Sequence, residues 1–421
     1  MPRNAARNRS DGVDRSFASN QAMPAPAAPL VATDHWRCAP AAQLAAGLRD
    51  IRKSTLQVFD AYVAAGALQV PFGDEFNPPL WELGHLGWYQ EFWIGRNPQR
   101  SAGIHYNHAL PRSPSQQAHS DAWYDSSTVA HPSRWHLPLL SPDACKSYLA
   151  ATLEQTLALL ATAGTDDQAL YFYRLVLFHE AMHLEAAVYM AQALGVPLQH
   201  LSDTIKTIAA RADSTCSTAL ISINNTDWTL GSSAVSGFVF DNELGAHTVQ
   251  LAAYSMDAQP VNWGQYLAYV HSTGCPLPRY VRRAAPPAAG AASAYEHQVF
   301  DQWQPLDLQQ SAVHLSYAEV MAYCAHVGRR LPTEAEWECA AMTQASFAWG
   351  DVWEWTASTF APFPGFVAHP YRDYSEPWFH TRPVLRGACA ATHPVMRNPK
   401  YRNYFMPQRT DIYAGFRTCS L

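Results

Sequence analysis

The sequence predicts an α+β protein in which an N-terminal four-helix bundle precedes a domain of short strands and turns. Three observations carry this expectation. The chain has 421 residues, a length that suits two domains. Four segments with helical patterning fall in its first half. After about residue 205 the pattern changes to short apolar runs, turn residues and many tryptophans. The expected organisation is a disordered tail over 1–33, a helical bundle over 34–205 and a second domain over 206–421.

Taken in order, residues 1–33 are rich in Ala, Asn, Pro and Ser and have arginines but no apolar stretch, so they do not form a secretory signal. The helices are expected at 41–65, 79–96, 142–163 and 168–194. Pro78 and Pro79 suit the start of the second. The fourth holds no proline or glycine and sets Leu175, Phe178, Met182 and Leu184 among polar residues. Between the second and third, 97–140 is heavy in Ser, His and Pro and reads as a crossover connection. In the second domain, Trp228-Thr229-Leu230-Gly231-Ser232 and the run Val249 to Met256 are strand-like, and the Ala/Pro segment 284–293 is a loop.

Composition narrows the function. With 48% hydrophobic and 12% aromatic residues the chain can bury sizeable cores. A net charge of -6 and no basic stripe argue against a nucleic-acid partner. No apolar run approaches the roughly 18 residues that span a bilayer. The eight cysteines are scattered without C-x-x-C spacing, against a disulfide framework or a cysteine zinc site, and point to the cytoplasm.

The run Phe178-His179-Glu180-Ala181-Met182-His183-Leu184-Glu185 carries the chemistry. Two histidines four apart on a helix share a face and can clamp one metal ion. The string also matches H-E-x-x-H, the helical motif of zinc proteases, with Glu180 as general base. Those enzymes need a third ligand further on, yet position 189 is Tyr189 and no glutamate occurs between Glu185 and Glu243. His200 is the remaining downstream candidate. A better third ligand lies upstream, in Asn77-Pro78-Pro79-Leu80-Trp81-Glu82-Leu83-Gly84-His85-Leu86-Gly87-Trp88-Tyr89, where Trp81, His85, Trp88 and Phe92 form one stripe. Gly84 and Gly87 flank His85 at about 1 kcal/mol each in helix propensity. Small residues there let something approach closely.

Several motifs of the second half, Phe240-Asp241-Asn242-Glu243-Leu244, Pro260-Val261-Asn262, Arg330-Leu331-Pro332-Thr333-Glu334-Ala335-Glu336-Trp337-Glu338, Val352-Trp353-Glu354-Trp355 and Leu385-Arg386-Gly387, resemble the formylglycine-generating-enzyme fold, a C-type-lectin-like domain. The first half, with H-x-x-x-H and Pro-Leu-Trp-Glu-Leu-Gly-His, resembles the metal-binding half of the ergothioneine-biosynthesis sulfoxide synthases, which implies a DinB-like bundle. In that family three histidines hold one non-haem Fe(2+), and the correspondence falls on His85, His179 and His183. Three imidazoles by themselves suit several divalent metals. The resemblance further implies hercynine (trimethylhistidine), a chalcogen donor and O2 as substrates.

Other positions follow from the same resemblance. Tyr371-Arg372-Asp373-Tyr374 is similar to the family's Tyr-x-x-Tyr, which implies Tyr371 as catalytic acid and Tyr374 beside hercynine. Arg402-Asn403-Tyr404 is similar to the family's Arg-Asn-Trp, implying that Asn403 and Tyr404 line the trimethylammonium pocket. Two positions depart. An aspartate that holds γ-glutamylcysteine is here Phe405, while the basic Arg409 is retained. A glutamine near hercynine is here Met182. The Pro-Leu-Trp-Glu-Leu-Gly-His run and the Phe405 change resemble the branch called selenoneine synthases, which join hercynine to a selenosugar. The alternatives are a hercynine sulfoxide synthase using cysteine or γ-glutamylcysteine, and an HExxH zinc protease. A formylglycine-generating enzyme is disfavoured because only Cys389 follows Leu385-Arg386-Gly387 before Cys419. Glu180 and the 334–338 glutamates read as structural.

Overall fold

The computed structural model describes residues 34–198, 219–233, 237–285 and 294–421. The tail expected at 1–33, His200, and 286–293 of the expected loop lie outside them.

Among the described residues, four long helices build the first half. Helix α1, Ala41–Ala64, turns a stripe of Leu44, Leu48, Ile51, Val58 and Tyr62 inward. Helix α2, Pro79–Gln90, starts on a proline and runs into a π-helical turn, Glu91–Gly95, where a continuous α-helix was expected. The buried Glu91 of that turn accepts hydrogen bonds from Tyr148 Oη (2.6 Å) and Gln116 N (2.7 Å). Helix α3, Pro142–Leu160, is capped by Ser141. Helix α4, Asp167–Leu194, is capped by Asp166, whose carboxylate accepts from Gln168 N and Ala169 N, and stops at Gly195 in the left-handed conformation (φ 68°). Helix α1 packs mainly on α4, and α2 mainly on α3.

The crossover holds three short helical turns, Gly103–His105, Ser120–Tyr124 and His131–His136. Arg96 grips Asp121 with two hydrogen bonds (2.7 and 2.8 Å), and Trp88 Nε1 adds a third (2.7 Å). Together they pin Ser120–Tyr124 against α2.

Among the described residues, the second half has short strands in four sheets. Strand β1 (Leu220–Ile223) pairs with β4 (Tyr254–Asp257), and β2 (Thr226–Leu230) with β3 (His247–Leu251), both antiparallel. Strands β5 (Val281–Arg283), β6 (Tyr295–Val299) and β7 (Gln302–Pro305) form a meander. The largest sheet runs β10-β9-β8-β11, from β8 (Trp353–Thr359), β9 (Pro383–Gly387), β10 (Asn403–Tyr404) and β11 (Ala414–Gly415), the last parallel to β8. Helices α5 (Trp263–Thr273), α6 (Tyr317–His326) and α7 (Glu334–Thr343) each open on a capping box. Short strands give few ladder bonds, and buried ion pairs do part of the fastening: Arg386 with Glu338, Arg402 with Glu334 and Arg417 with Glu354. Glu336 pairs with Arg330, so each glutamate of 334–338 is engaged in an ion pair. Breaking one such pair costs about 3–5 kcal/mol, because the remaining charge stays buried.

Residues on nearly every face of α4 are buried, which marks a helix enclosed by other elements. Its Phe178 meets Phe238 and Phe240, and its Gln192 bonds to Gln298 O and Phe300 N. The described residues of the two halves therefore cluster as one compact unit. Between β8 and β9 a long connection carries Tyr371, Tyr374, Trp378 and Arg382 toward α4. No helix among the described residues is long and apolar enough to cross a membrane.

Candidate metal centre and adjoining cavity

Helix α2 presents Glu82, His85 and Tyr89 on one face by their spacing of three and four, and α4 presents His179 and His183. The structure brings the three histidines together, with one ligand nitrogen from each within 4.8 Å of the others. His85 Nδ1 donates to Tyr124 O (2.7 Å). His183 Nδ1 donates to Glu82 Oε2 (2.5 Å). A carbonyl can only accept, so the His85 proton sits on Nδ1 and its Nε2 carries a lone pair. The proton that His183 gives to Glu82 likewise sits on Nδ1. Burial would raise the Glu82 pKa, but His183, together with His85 and Arg134, outweighs it and holds the carboxyl at about 2. Burial, then the neighbouring His183, lowers His85 to about 3, and burial likewise drives His179 well below its ordinary value.

His85 Nε2 faces His179 Nε2 at 3.3 Å. The His85 lone pair can accept from a protonated His179 Nε2, and with His179 in its other tautomer the two lone pairs can share one cation. This donor set fits a divalent metal of the kind imidazole prefers, iron included. The rings are held by stacking: Tyr89 lies flat on His179 (3.4 Å between centroids, 3°) and Trp81 on His85 (4.9 Å, 9°).

Glu180 points elsewhere. Its buried carboxylate takes a bidentate pair from Arg52 (2.7 and 2.9 Å), and the same guanidinium reaches Gln90. A base so occupied cannot serve a hydrolytic water, so the structure supports the structural role for Glu180.

A cavity of 590 Å³ adjoins His183, and Met182, Tyr374, Asn403, Tyr404, Phe405 and Arg409 all line it. Its size suits a small-molecule substrate. Tyr374 Oη donates to Tyr401 Oη (3.0 Å), which lies 3.3 Å from Met182 Sδ, tying α4 to the strand half. Asn403 Oδ1 accepts from Tyr404 N (2.9 Å), and Tyr404 stacks on Phe360 (4.0 Å). Arg409 is not a free cation in the wall: it forms a bidentate ion pair with Asp411 and lies over Phe405 (5.3 Å). Tyr371 lines a separate 240 Å³ cavity with Tyr89 and Ser126. Its ring is 5.1 Å from Tyr89 and 6.0 Å from His179. Burial raises its pKa, so the phenol keeps its proton.

Sequence reasoning missed Glu82, Tyr401 and Glu185. Glu82 stands three before His85, a same-face spacing that could have exposed it. Glu185 lines the cavity. It accepts from Trp353 Nε1 (2.7 Å) and Tyr189 Oη, and burial lifts it to about 7. Cys389 is buried, and the described cysteines are all free thiols.

A helical bundle supplying three convergent imidazoles is joined to a lectin-like domain supplying an aromatic cavity. A DinB superfamily model matches 47–187, and a sulfatase-modifying factor enzyme 1-like domain matches 207–351. Hercynine oxygenase of Mycobacterium tuberculosis is 29% identical, over 89% of this chain and 98% of its own. Hercynine oxygenase of Mycolicibacterium smegmatis is 28% identical, over 81% and 90%. A formylglycine-generating enzyme of M. tuberculosis is 29% identical over 27% of this chain and 49% of its own. The similarity to hercynine oxygenases spans both halves of the chain.

Proposed function

We propose that this chain is an O2-dependent non-haem Fe(II) enzyme that joins a chalcogen to the imidazole carbon of hercynine, and that the chalcogen comes from a selenosugar. The convergence of three imidazoles beside an aromatic cavity carries the reading, and the names of the full-length relatives support its hercynine part. The overall change is balanced: imidazole C–H, selenol Se–H and O2 give the C–Se(=O) product and water.

Held by His85, His179 and His183, iron would supply the O2 activation that no side chain provides. The remaining tasks fall to the protein. Tyr374 and Tyr404 offer ring faces, and Asn403 an amide oxygen, to a trimethylammonium that has no hydrogen to donate. Tyr371, protonated and beside His179, is the candidate acid toward reduced oxygen. Phe405 and the Arg409–Asp411 pair leave the donor end without a free carboxylate or free arginine fork from either residue, which favours a neutral sugar over γ-glutamylcysteine. The second reading, a cysteine or γ-glutamylcysteine donor in ergothioneine biosynthesis, is favoured by the relatives themselves.

The test is a mass-spectrometric product assay with Fe(II)-loaded protein, hercynine and O2, offering a selenosugar, its thiosugar analogue, cysteine and γ-glutamylcysteine in parallel. A preferred selenium adduct is expected. Adducts with cysteine or γ-glutamylcysteine alone would return the chain to ergothioneine synthesis, and no hercynine adduct at all would end the proposal.

A further inference from the structure

One cation in the cavity wall has no assigned task. Arg382 lines the cavity at the end of the long β8–β9 connection, and its backbone is anchored by Phe360 N donating to Arg382 O (2.8 Å). Its guanidinium lies over Trp378 (4.1 Å) and 6.0 Å from the Tyr404 ring. The other cavity arginine, Arg409, is bound to Asp411, and the buried Arg386, Arg402 and Arg417 each have a glutamate. Arg382 differs: its Nε is buried without a hydrogen-bond partner. Among the described residues no carboxylate pairs with it. Of the two acids on the wall, Glu185 is engaged by Trp353, and Asp74 lies beyond ion-pair reach of Arg382. A guanidinium stacked on an indole and turned into a cavity is a preorganised fork for a planar anion.

We infer that Arg382 recognises the α-carboxylate of the betaine substrate. This rests on the hercynine reading, in which trimethylammonium and carboxylate share one carbon. A cation host at Tyr404 then requires an anion host next to it, and Arg382 is the neighbouring group with that chemistry. The pair Tyr404 and Arg382 would read both poles of the betaine and leave its imidazole to extend toward His183. A carboxylate of an amino-acid donor presents the same chemistry, so the experiment separates the two sources.

Calorimetric titration of the anaerobic, metal-loaded protein compares hercynine with its decarboxylated analogue, trimethylhistamine. The wild type should bind hercynine about tenfold to a hundredfold more tightly, the range for a charge-assisted hydrogen-bonded pair. Arg382→Gln should bring hercynine down to the analogue's affinity and leave the analogue unchanged, and Arg382→Lys should retain part of the discrimination. Persistence of the full preference in Arg382→Gln would overturn the inference. So would loss of both ligands with an unchanged Tm, since Arg382 would then only shape the cavity. A second pair, cysteine and cysteamine titrated into the hercynine complex, would also overturn it if Arg382→Gln abolished that discrimination while hercynine affinity stayed intact. Failure of the wild type to bind either betaine would instead overturn the hercynine reading.

Discussion

At the scale of single residues, the candidate centre depends on which nitrogen of each histidine carries the proton. Tyr124 O settles this for His85 and Glu82 for His183. Replacing Glu82 by Gln keeps the volume but removes the charge and offers an amide that can donate as well as accept. Metal affinity should fall about 10- to 100-fold with the fold intact, measurable by competition with a chelator. Unchanged affinity would show that Glu82 merely fills space. Tyr371→Phe removes the phenolic hydroxyl beside His179 and should cut turnover by roughly 10²-fold or more, while calorimetry finds hercynine affinity unaltered. Equal turnover would assign the acid elsewhere. Away from the centre, His314 donates from Nδ1 to Ile412 O (3.0 Å), and burial, opposed by Asp411, lowers its pKa to about 4. A folded pKa below the unfolded value means stability that is present above about pH 6.5 and lost as pH falls toward 4. His314→Asn should flatten that part of the Tm profile, and a profile parallel to the wild type's would contradict the assignment.

At the scale of elements, the docking of Ser120–Tyr124 on α2 orients His85. A Cβ on Gly84 would meet Tyr124 Cε1 at 2.2 Å, and one on Gly87 would meet the Tyr148 ring at 2.9 Å. Gly84→Ala should therefore displace the Tyr124 carbonyl, cost about 1–3 kcal/mol in stability and weaken metal binding, as read by thermal melts and metal stoichiometry. Wild-type values for both would mean that the crossover yields freely. The sequence made the need for a close approach legible, because two glycines beside a histidine oppose helix propensity. It could not show what approaches, since the crossover turns span only three to six residues, too few for periodicity to register. The four long helices were legible for the opposite reason: two or more turns repeat the apolar stripe. Only the widening of Glu91–Gly95 into a π turn escaped that pattern. Arg382 was illegible because its connection has no period, and a loop arginine has meaning only beside Trp378 and Tyr404.

At the scale of the molecule, the two halves divide the work. Helices α2 and α4 hold the histidines, whereas strand β10 and the β8–β9 connection supply Asn403, Tyr404, Tyr374 and Tyr371. Donor selectivity should then be separable from metal binding, and Phe405→Asp tests this. Phe405 is partly buried on the cavity wall under Arg409. An aspartate there would face a guanidinium already paired with Asp411. One guanidinium cannot fully neutralise two carboxylates in a partly desolvated wall, so a negative charge remains to attract the ammonium of γ-glutamylcysteine. The variant should keep the wild-type metal stoichiometry and shift product ratios toward the γ-glutamylcysteine adduct by about tenfold, one charge-assisted contact, in competition assays against the selenosugar. An unchanged ratio would place donor selection outside this contact and remove the main support for a neutral donor. A fall in bound metal would show instead that the strand half helps to hold the centre, against the division of labour.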